Sequence, residues 1–327
     1  MKPPAFLDGA EVRRALPMCD AIDAMRSAFA QLSRGQVTLP TRLRIDAPAE
    51  NGAALFMPCH STTIKMFSLK IATVFDDNPR RGLPLVQSTV TLIDGTTGTP
   101  LVIMDGVCLT AIRTGAASGL ATDLLARPEA SIVAIIGSGV QARTQLEAVC
   151  IVRDIKFARV YSRDFEAASR FAREMSEQLG IDVEPVRSAA AAIHNADIIC
   201  TATTSTSPVF EDADLSPGTH INAIGSFRPG MVEIPAATVC RARVVVDHRA
   251  SALEEAGDLI APLNAGLIHE SHFATELGDL ILGAAAPRRD HNDVTLFKSV
   301  GIAIQDLVAA CRAARLPQSE WKVESSE

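Results

Sequence analysis

Apolar residues recur at helical spacing at Ala21, Met25, Phe29 and Leu32, and Gly35 supplies a stop. Strand-like runs follow near residues 70–75, 85–93 and 100–104. Between the last two, Asp94-Gly95-Thr96-Thr97-Gly98 is a hairpin turn signal. The first third of the chain therefore reads as a helix followed by an antiparallel sheet. Residues 109–125 form a further helix that ends before Pro128 and leads into a second domain.

From Ser131 the rhythm changes to strand alternating with helix. Strands are expected at 132–136, 158–161, 197–202, 221–224 and 244–247. Between two of them Ala168, Phe171, Met175 and Leu179 make an amphipathic face closed by Gly180, and Ser188 starts a short Ala-rich helix. Such alternation gives a parallel sheet with helices on both faces. Residues 294–314 read as helix again, with no strand left to add, packing back on the first domain. No internal repeat or low-complexity segment interrupts this order.

One turn in the alternating region carries chemistry. Val133 to Ala142 read Val-Ala-Ile-Ile-Gly-Ser-Gly-Val-Gln-Ala, an apolar strand entering a Gly-x-Gly-x-x-Ala turn. Gly137 makes the tight turn, Gly139 lets the backbone approach a pyrophosphate, and Ala142 lets the next helix pack on the sheet. The helix starting there would aim its N-terminal amides at the phosphates. The fold class is α/β: a Rossmann-type parallel-sheet domain over residues 116–299, beside a discontinuous α+β domain over 1–115 completed by 300–327.

Composition narrows the partners. The 327 residues, 47% hydrophobic, suffice for two large cores. A net charge of −7, scattered Lys and Arg, and 4% aromatics argue against a nucleic-acid partner. Seven cysteines without a Cys-x-x-Cys pair fit reduced thiols in the cytoplasm. Met1-Lys2-Pro3-Pro4 precedes no signal-peptide core, and no apolar run approaches the ~20 residues of a membrane span, so no membrane partner is expected.

The end of the second strand discriminates between nicotinamide cofactors. A carboxylate there bonds the ribose hydroxyls of NAD, whereas an arginine accommodates the 2′-phosphate of NADP. The stretch is Tyr161-Ser162-Arg163-Asp164. Ser162 stands where the carboxylate would be and Arg163 offers a guanidinium, which favours NADPH. NADH remains the alternative, because Asp164 either caps the next helix or turns in as the acidic partner.

Several stretches carry a family resemblance. Leu109-Thr110-Ala111-Ile112-Arg113-Thr114-Gly115-Ala116-Ala117-Ser118, the Gly137–Ala142 turn, Ile221-Asn222-Ala223-Ile224-Gly225 and Thr295-Leu296-Phe297-Lys298-Ser299-Val300-Gly301 resemble, in order, motifs of the ornithine cyclodeaminase/mu-crystallin family. The resemblance implies a homodimer whose N-terminal domain binds substrate and dimerises, beside the Rossmann domain. It implies chemistry on imines of small 2-keto or 2-amino acids, and leaves the reaction open. The cofactor set it suggests is Arg113, Thr114, Gly137, Gly139, Val140, Gln141, Ser162, Arg163, Thr203, Asn222, Ala223, Gly225 and Ser299.

Family members hold the substrate carboxylate with three cations. Pro40-Thr41-Arg42 matches the Pro-x-Arg motif, Phe67-Ser68-Leu69-Lys70 carries the lysine, and Arg113 is the helix arginine. Arg42 and Arg113 suit two-pronged carboxylate bonds. Lys70, among apolar neighbours, suits a proton donor or charge stabiliser with a lowered pKa.

Two departures bear on the reaction. Cyclodeaminases place a water-activating Asp after the Asn-Ala-x-Gly loop, where Phe227 stands here, and a Glu for the substrate amine before a Met-Pro pair, where Leu55 stands. Phenylalanine cannot act as a general base. What remains is reduction of a cyclic C=N that carries a carboxylate, with Phe227 beside the ring. Gly225-Ser226-Phe227-Arg228-Pro229 itself resembles bacterial reductases of such imines. The leading expectation is an NADPH-dependent ketimine reductase acting on Δ1-pyrroline-2-carboxylate or Δ1-piperideine-2-carboxylate, giving L-proline or L-pipecolate. A cyclodeaminase, an alanine-type dehydrogenase and a non-catalytic NADPH-dependent binding protein are the alternatives. No metal is expected: His269-Glu270-Ser271-His272 lacks the spacing of His-Glu-x-x-His. His60 beside Cys59 reads as structural polarity.

Overall fold

Alternate residues of two ten-residue strands build the first core. In Gly52–Ser61 the buried members are Ala53, Met57, Cys59 and Ser61, and in Met66–Phe75 they are Met66, Ser68, Lys70 and Ala72. This period of two turns one face of the sheet inward. Numbered along the chain, the strands are β1 (Ala5–Leu7), β2 (Val37–Thr38), β3 (Leu43–Ala47), β4 (Gly52–Ser61), β5 (Met66–Phe75), β6 (Val86–Asp94) and β7 (Pro100–Asp105). They run in the order β1-β7-β6-β5-β4-β2, with β3 also on β4; only the β1–β7 pair is parallel. Helices Met18–Ser33 and Ala303–Ala313 pack together, and the second lies on β4, β5 and β6. Met25, Phe29, Leu307 and Cys311 between them are fully buried.

This computed structural model describes residues 3–316. It divides into one unit of Met1–Arg113 with Ile302–Glu327 and a second of Thr114–Gly301. The helix Gly106–Leu125 contains the boundary. No described helix is long and apolar enough to cross a membrane.

The second unit is a seven-stranded, wholly parallel sheet. Its strands are β8 (Ile132–Ile136), β9 (Phe157–Tyr161), β10 (Asp182–Val186), β11 (Ile198–Thr201), β12 (His220–Ala223), β13 (Arg243–Val246) and β14 (Thr295–Lys298). The order β10-β9-β8-β11-β12-β14-β13 reverses direction between β8 and β11. In open α/β sheets the ligand crevice lies at such a switch point, beyond the carboxyl ends of the strands. Helix Phe165–Leu179 buries Ala168, Phe171, Ala172 and Met175, and ends at Gly180 with φ +69°.

One expectation is corrected. Residues 294–314 are not helical throughout: Thr295–Lys298 is β14, inserted between β12 and β13, and the helix begins only at Ala303. All four residues of β14 are buried, Lys298 included, because Asp258 Oδ2 lies 2.9 Å from its ammonium. A lysine so neutralised can occupy a central strand, where the sequence pattern read a helix.

Candidate active site

The glycine turn has the geometry of a phosphate cradle. Gly137 has φ +113°, and a Cβ there would fall 2.6 Å from the Ala202 carbonyl oxygen, so a side chain is excluded twice over. A Cβ on Gly139 would meet nothing within 4 Å, which leaves open space over the turn. Gly139 is the N-cap of helix Val140–Val152, and no side chain caps that end. Val140 is 58% exposed at the first helical position, and the buried Gln141 Oε1 has no partner among the described residues. Uncapped amides, space and an orphaned polar atom together fit a dinucleotide pyrophosphate.

Across the switch point a buried carboxylate ties two strand ends together. Glu233 Oε1 accepts from the Thr203 amide at 2.7 Å; Oε2 accepts from the amides of Gly225 (2.7 Å) and Ser226 (3.2 Å) and from Thr201 Oγ1 (2.9 Å). Burial pushes the Glu233 carboxyl pKa up, Asp258 adds to this, and Lys298 opposes it. Asp258 in turn accepts from the amides of Glu233 and Ile234 at 2.6 and 3.0 Å. Sequence reasoning missed Glu233 and Asp258, since buried carboxylates leave no periodic signal.

The remaining cofactor candidates in this unit differ in what they offer. Asn222 is fully buried, with Nδ2 donating to Thr122 Oγ1 at 2.9 Å and Oδ1 3.2 Å from His220 Nε2. Ser299 Oγ donates to Asp247 Oδ2 at 2.7 Å, and the Ala223 carbonyl accepts from the Ser299 amide. The Thr114 carbonyl accepts from Gln145 Nε2. The Asn222 and Ser299 side chains brace strand ends. At the end of β9, Ser162 is half-buried and Arg163 exposed. Asp164 Oδ1 caps helix Phe165–Leu179, accepting from the amides of Glu166 and Ala167 at 3.0 and 3.2 Å. Phe227 is half-buried, with the Arg228 guanidinium 5.2 Å from its ring centre.

In the first unit two of the three cations meet at one carboxylate, Asp306. Lys70 reaches inward from β5, 4% exposed, and its Nζ lies 3.3 Å from Asp306 Oδ1. Arg113, 5% exposed, donates from Nε to the same oxygen at 3.1 Å and from Nη1 to Gln305 Oε1 at 2.7 Å. Arg42, half-buried just before β3, is near enough to oppose the Lys70 charge. Burial lowers the Lys70 pKa to about 8; Asp306 resists this, and Arg113 and Arg42 add to it. Cys59, facing the same cluster from β4, is pushed up to about 12 by burial and by Asp306. Asp306 and Gln305 were not found from the sequence. The available signal was a carboxylate inside a helix whose other residues are apolar nearly all round, Ile304, Leu307, Val308, Ala310 and Cys311 among them.

Outside these clusters, Leu55 pairs with Ala72 and Arg44 in the sheet. The His60 ring lies 4.3 Å from that of Phe67. His272 Nε2 lies 2.6 Å from the Val239 carbonyl oxygen and Glu270 pairs with Arg249.

A dinucleotide turn at the switch point of a parallel sheet, in a chain whose first unit holds buried cations, defines the class of nicotinamide-dependent enzymes. The chain belongs to the ornithine cyclodeaminase/mu-crystallin family, whose model matches residues 3–314. It is 40% identical over 301 residues to a Δ(1)-pyrroline-2-carboxylate reductase of Bacillus cereus, covering 92% of each chain. Among solved structures it is similar to the Δ(1)-pyrroline-2-carboxylate reductase of Thermococcus litoralis in complex with NADH and L-proline. That match has TM-score 0.92 and 39% identity over 95% of this chain and 96% of the other. An archaeal alanine dehydrogenase dimer with bound NAD matches at TM-score 0.90 and 32% identity, covering 95% of each chain.

Proposed function

We propose that this protein reduces cyclic ketimines that carry a carboxylate, Δ1-pyrroline-2-carboxylate or its six-membered homologue, to L-proline or L-pipecolate. The chain is a nicotinamide-dependent oxidoreductase acting on the carbon–nitrogen bond. The observation that carries the reading is the cluster of Lys70, Arg113 and Arg42 in a chain so similar to pyrroline-carboxylate reductases.

Arg42 and Arg113 hold the substrate carboxylate, Arg113 through the part of its guanidinium not taken by Asp306 and Gln305. Lys70 Nζ carries the proton that balances reduction at the imine nitrogen. A lysine whose pKa burial lowers to about 8 stays mostly an ammonium at neutral pH yet gives up its proton more readily than a free one. The nicotinamide, when bound, supplies the hydride. A phenylalanine at position 227 offers no base for water, so hydrolysis has no catalyst at that residue. Fixing the ring supplies much of the acceleration, since a protonated imine is already an activated acceptor.

NADPH is the preferred cofactor in this reading. Arg163 is exposed at the end of β9, and Asp164 is engaged as a helix cap, so a guanidinium and no free carboxylate is offered there. The NADH in the Thermococcus litoralis complex makes the opposite preference the natural competitor. The working unit is a homodimer in the cytoplasm, in keeping with seven free thiols.

A spectrophotometric assay of the purified protein tests the reading. Reduced cofactor should be consumed only when the imine is added, faster with NADPH than with NADH. Arg163→Asp should reverse or abolish the preference, by placing like charge beside the 2′-phosphate. Cofactor binding with no imine-dependent consumption would leave only a binding protein.

A further inference from the structure

Asp306 is a carboxylate with no exposure, on a helix packed against the sheet that carries Lys70. One oxygen, Oδ1, serves both Lys70 Nζ at 3.3 Å and Arg113 Nε at 3.1 Å. The other, Oδ2, has no partner in the described chain, nor does Nε2 of the adjacent Gln305. A single buried anion thus faces two buried cations, with Arg42 as a third nearby. Without it, two positive charges would share an apolar core, an arrangement that buried charges do not tolerate unpaired. The contact also spans the sequence, joining residues 70 and 113 to 306.

From this we infer that Asp306 is a positioning residue: it keeps Lys70 an ammonium and turns the Arg113 guanidinium so that its free edge meets the substrate carboxylate. The assignment to the reaction rests on the function proposed above; the pairing does not. The groups acting on Lys70 are Asp306 from helix Ala303–Ala313, Arg113 from Gly106–Leu125 and Arg42 from the segment before β3, while Cys59 from β4 faces Asp306. Of these only Asp306 is an anion. Cys59 remains a neutral thiol through the working range because its pKa is pushed up to about 12. Removing the Asp306 charge therefore lowers the Lys70 proton affinity, since burial and two arginines all act in that direction.

The full chain, wild type and with Asp306→Asn or Asp306→Glu, provides the test. The first readout needs no turnover: Lys70 acylation by acetic anhydride against pH, followed by peptide mass spectrometry. In the wild type Lys70 should be half-reactive near pH 8. Asp306→Asn should move that point down by about one unit or more, and Asp306→Glu should restore most of it. The second readout is kcat/KM for NADPH-dependent reduction of Δ1-pyrroline-2-carboxylate. Its alkaline limb should move to lower pH in Asp306→Asn, with KM for the imine raised about tenfold or more. KM for NADPH should not change. Unaltered Lys70 titration in Asp306→Asn, or equal loss of cofactor and imine binding, would overturn the inference. So would a wild-type half-point below about pH 6, the range of buried lysines that lack a counter-charge, and this needs no variant to fold. If Lys70 titrates as stated but the wild type reduces no cyclic imine, the pairing stands and the proposed reaction fails.

Discussion

Lys70 is buried beside Asp306, and the function proposed above gives it the proton supply and gives Arg42 the substrate carboxylate. Lys70→Ala and Arg42→Ala should each lower kcat/KM for the imine by roughly 100-fold or more, the usual scale for losing a proton donor or a charge-assisted carboxylate bond. NADPH affinity, by fluorescence titration of the same samples, should stay within about threefold, because uniform effects are the signature of damage to the fold. Matched losses of both would assign these residues a folding role. At this scale the sequence was readable where a motif surrounds the residue. Lys70 and Arg113 were singled out through their neighbours as candidates, and the structure brings both to Asp306. Asp306 was not, because a lone acidic residue in a helix is ordinarily a solvated one, and the apolar residues flanking it were the one local sign of burial.

Elements were legible where a regular period met an unambiguous stop. Helix Phe165–Leu179, the hairpin between β6 and β7, and the strand before Gly137 all fall where their patterns put them. Strand β4 escaped notice because Met57-Pro58 breaks its pattern. The structure tolerates Pro58 where one side of β4 is unpaired: β3 covers residues 52–56 and β2 covers 60–61. Strand β10 likewise carries Pro185 at the edge of its sheet, where a missing amide does no harm. Strand β14 hid for a different reason, its lysine being paired inside the core.

The β12–β14 pair also sets a pH response. His220 is fully buried between Thr295 and Asn222, and burial depresses its pKa from 6.5 to about 3. The folded form keeps His220 neutral while the unfolded chain takes up a proton, so its contribution is whole above pH 6.5 and declines as pH falls toward 3. Urea melts at pH 7, 5 and 4 should show stability falling through this window. His220→Gln should make the decline shallower; an unchanged slope would assign it to other groups.

For the whole molecule, the outward face of the first unit's sheet poses the question of assembly. Leu43, Ile45 and Phe67 are exposed by 59, 53 and 43%, an apolar patch that a second copy of the chain would cover. Light scattering after size exclusion should give a dimer for the wild type, and Leu43→Lys with Ile45→Asp should shift it to monomer. A dimer unaffected by that pair of substitutions would place the interface elsewhere.

The most direct measurement follows the hydride. With NADPH deuterated at the transferring position of the nicotinamide, Δ1-pyrroline-2-carboxylate should yield L-proline one mass unit heavier, the deuterium on the carbon bearing the carboxylate. L-Ornithine, given with oxidised or reduced cofactor, should release no ammonia and form no proline, since Phe227 and Leu55 stand where a cyclodeaminase needs carboxylates. Unlabelled proline from the imine, or ammonia released from ornithine by the wild type, would contradict the account.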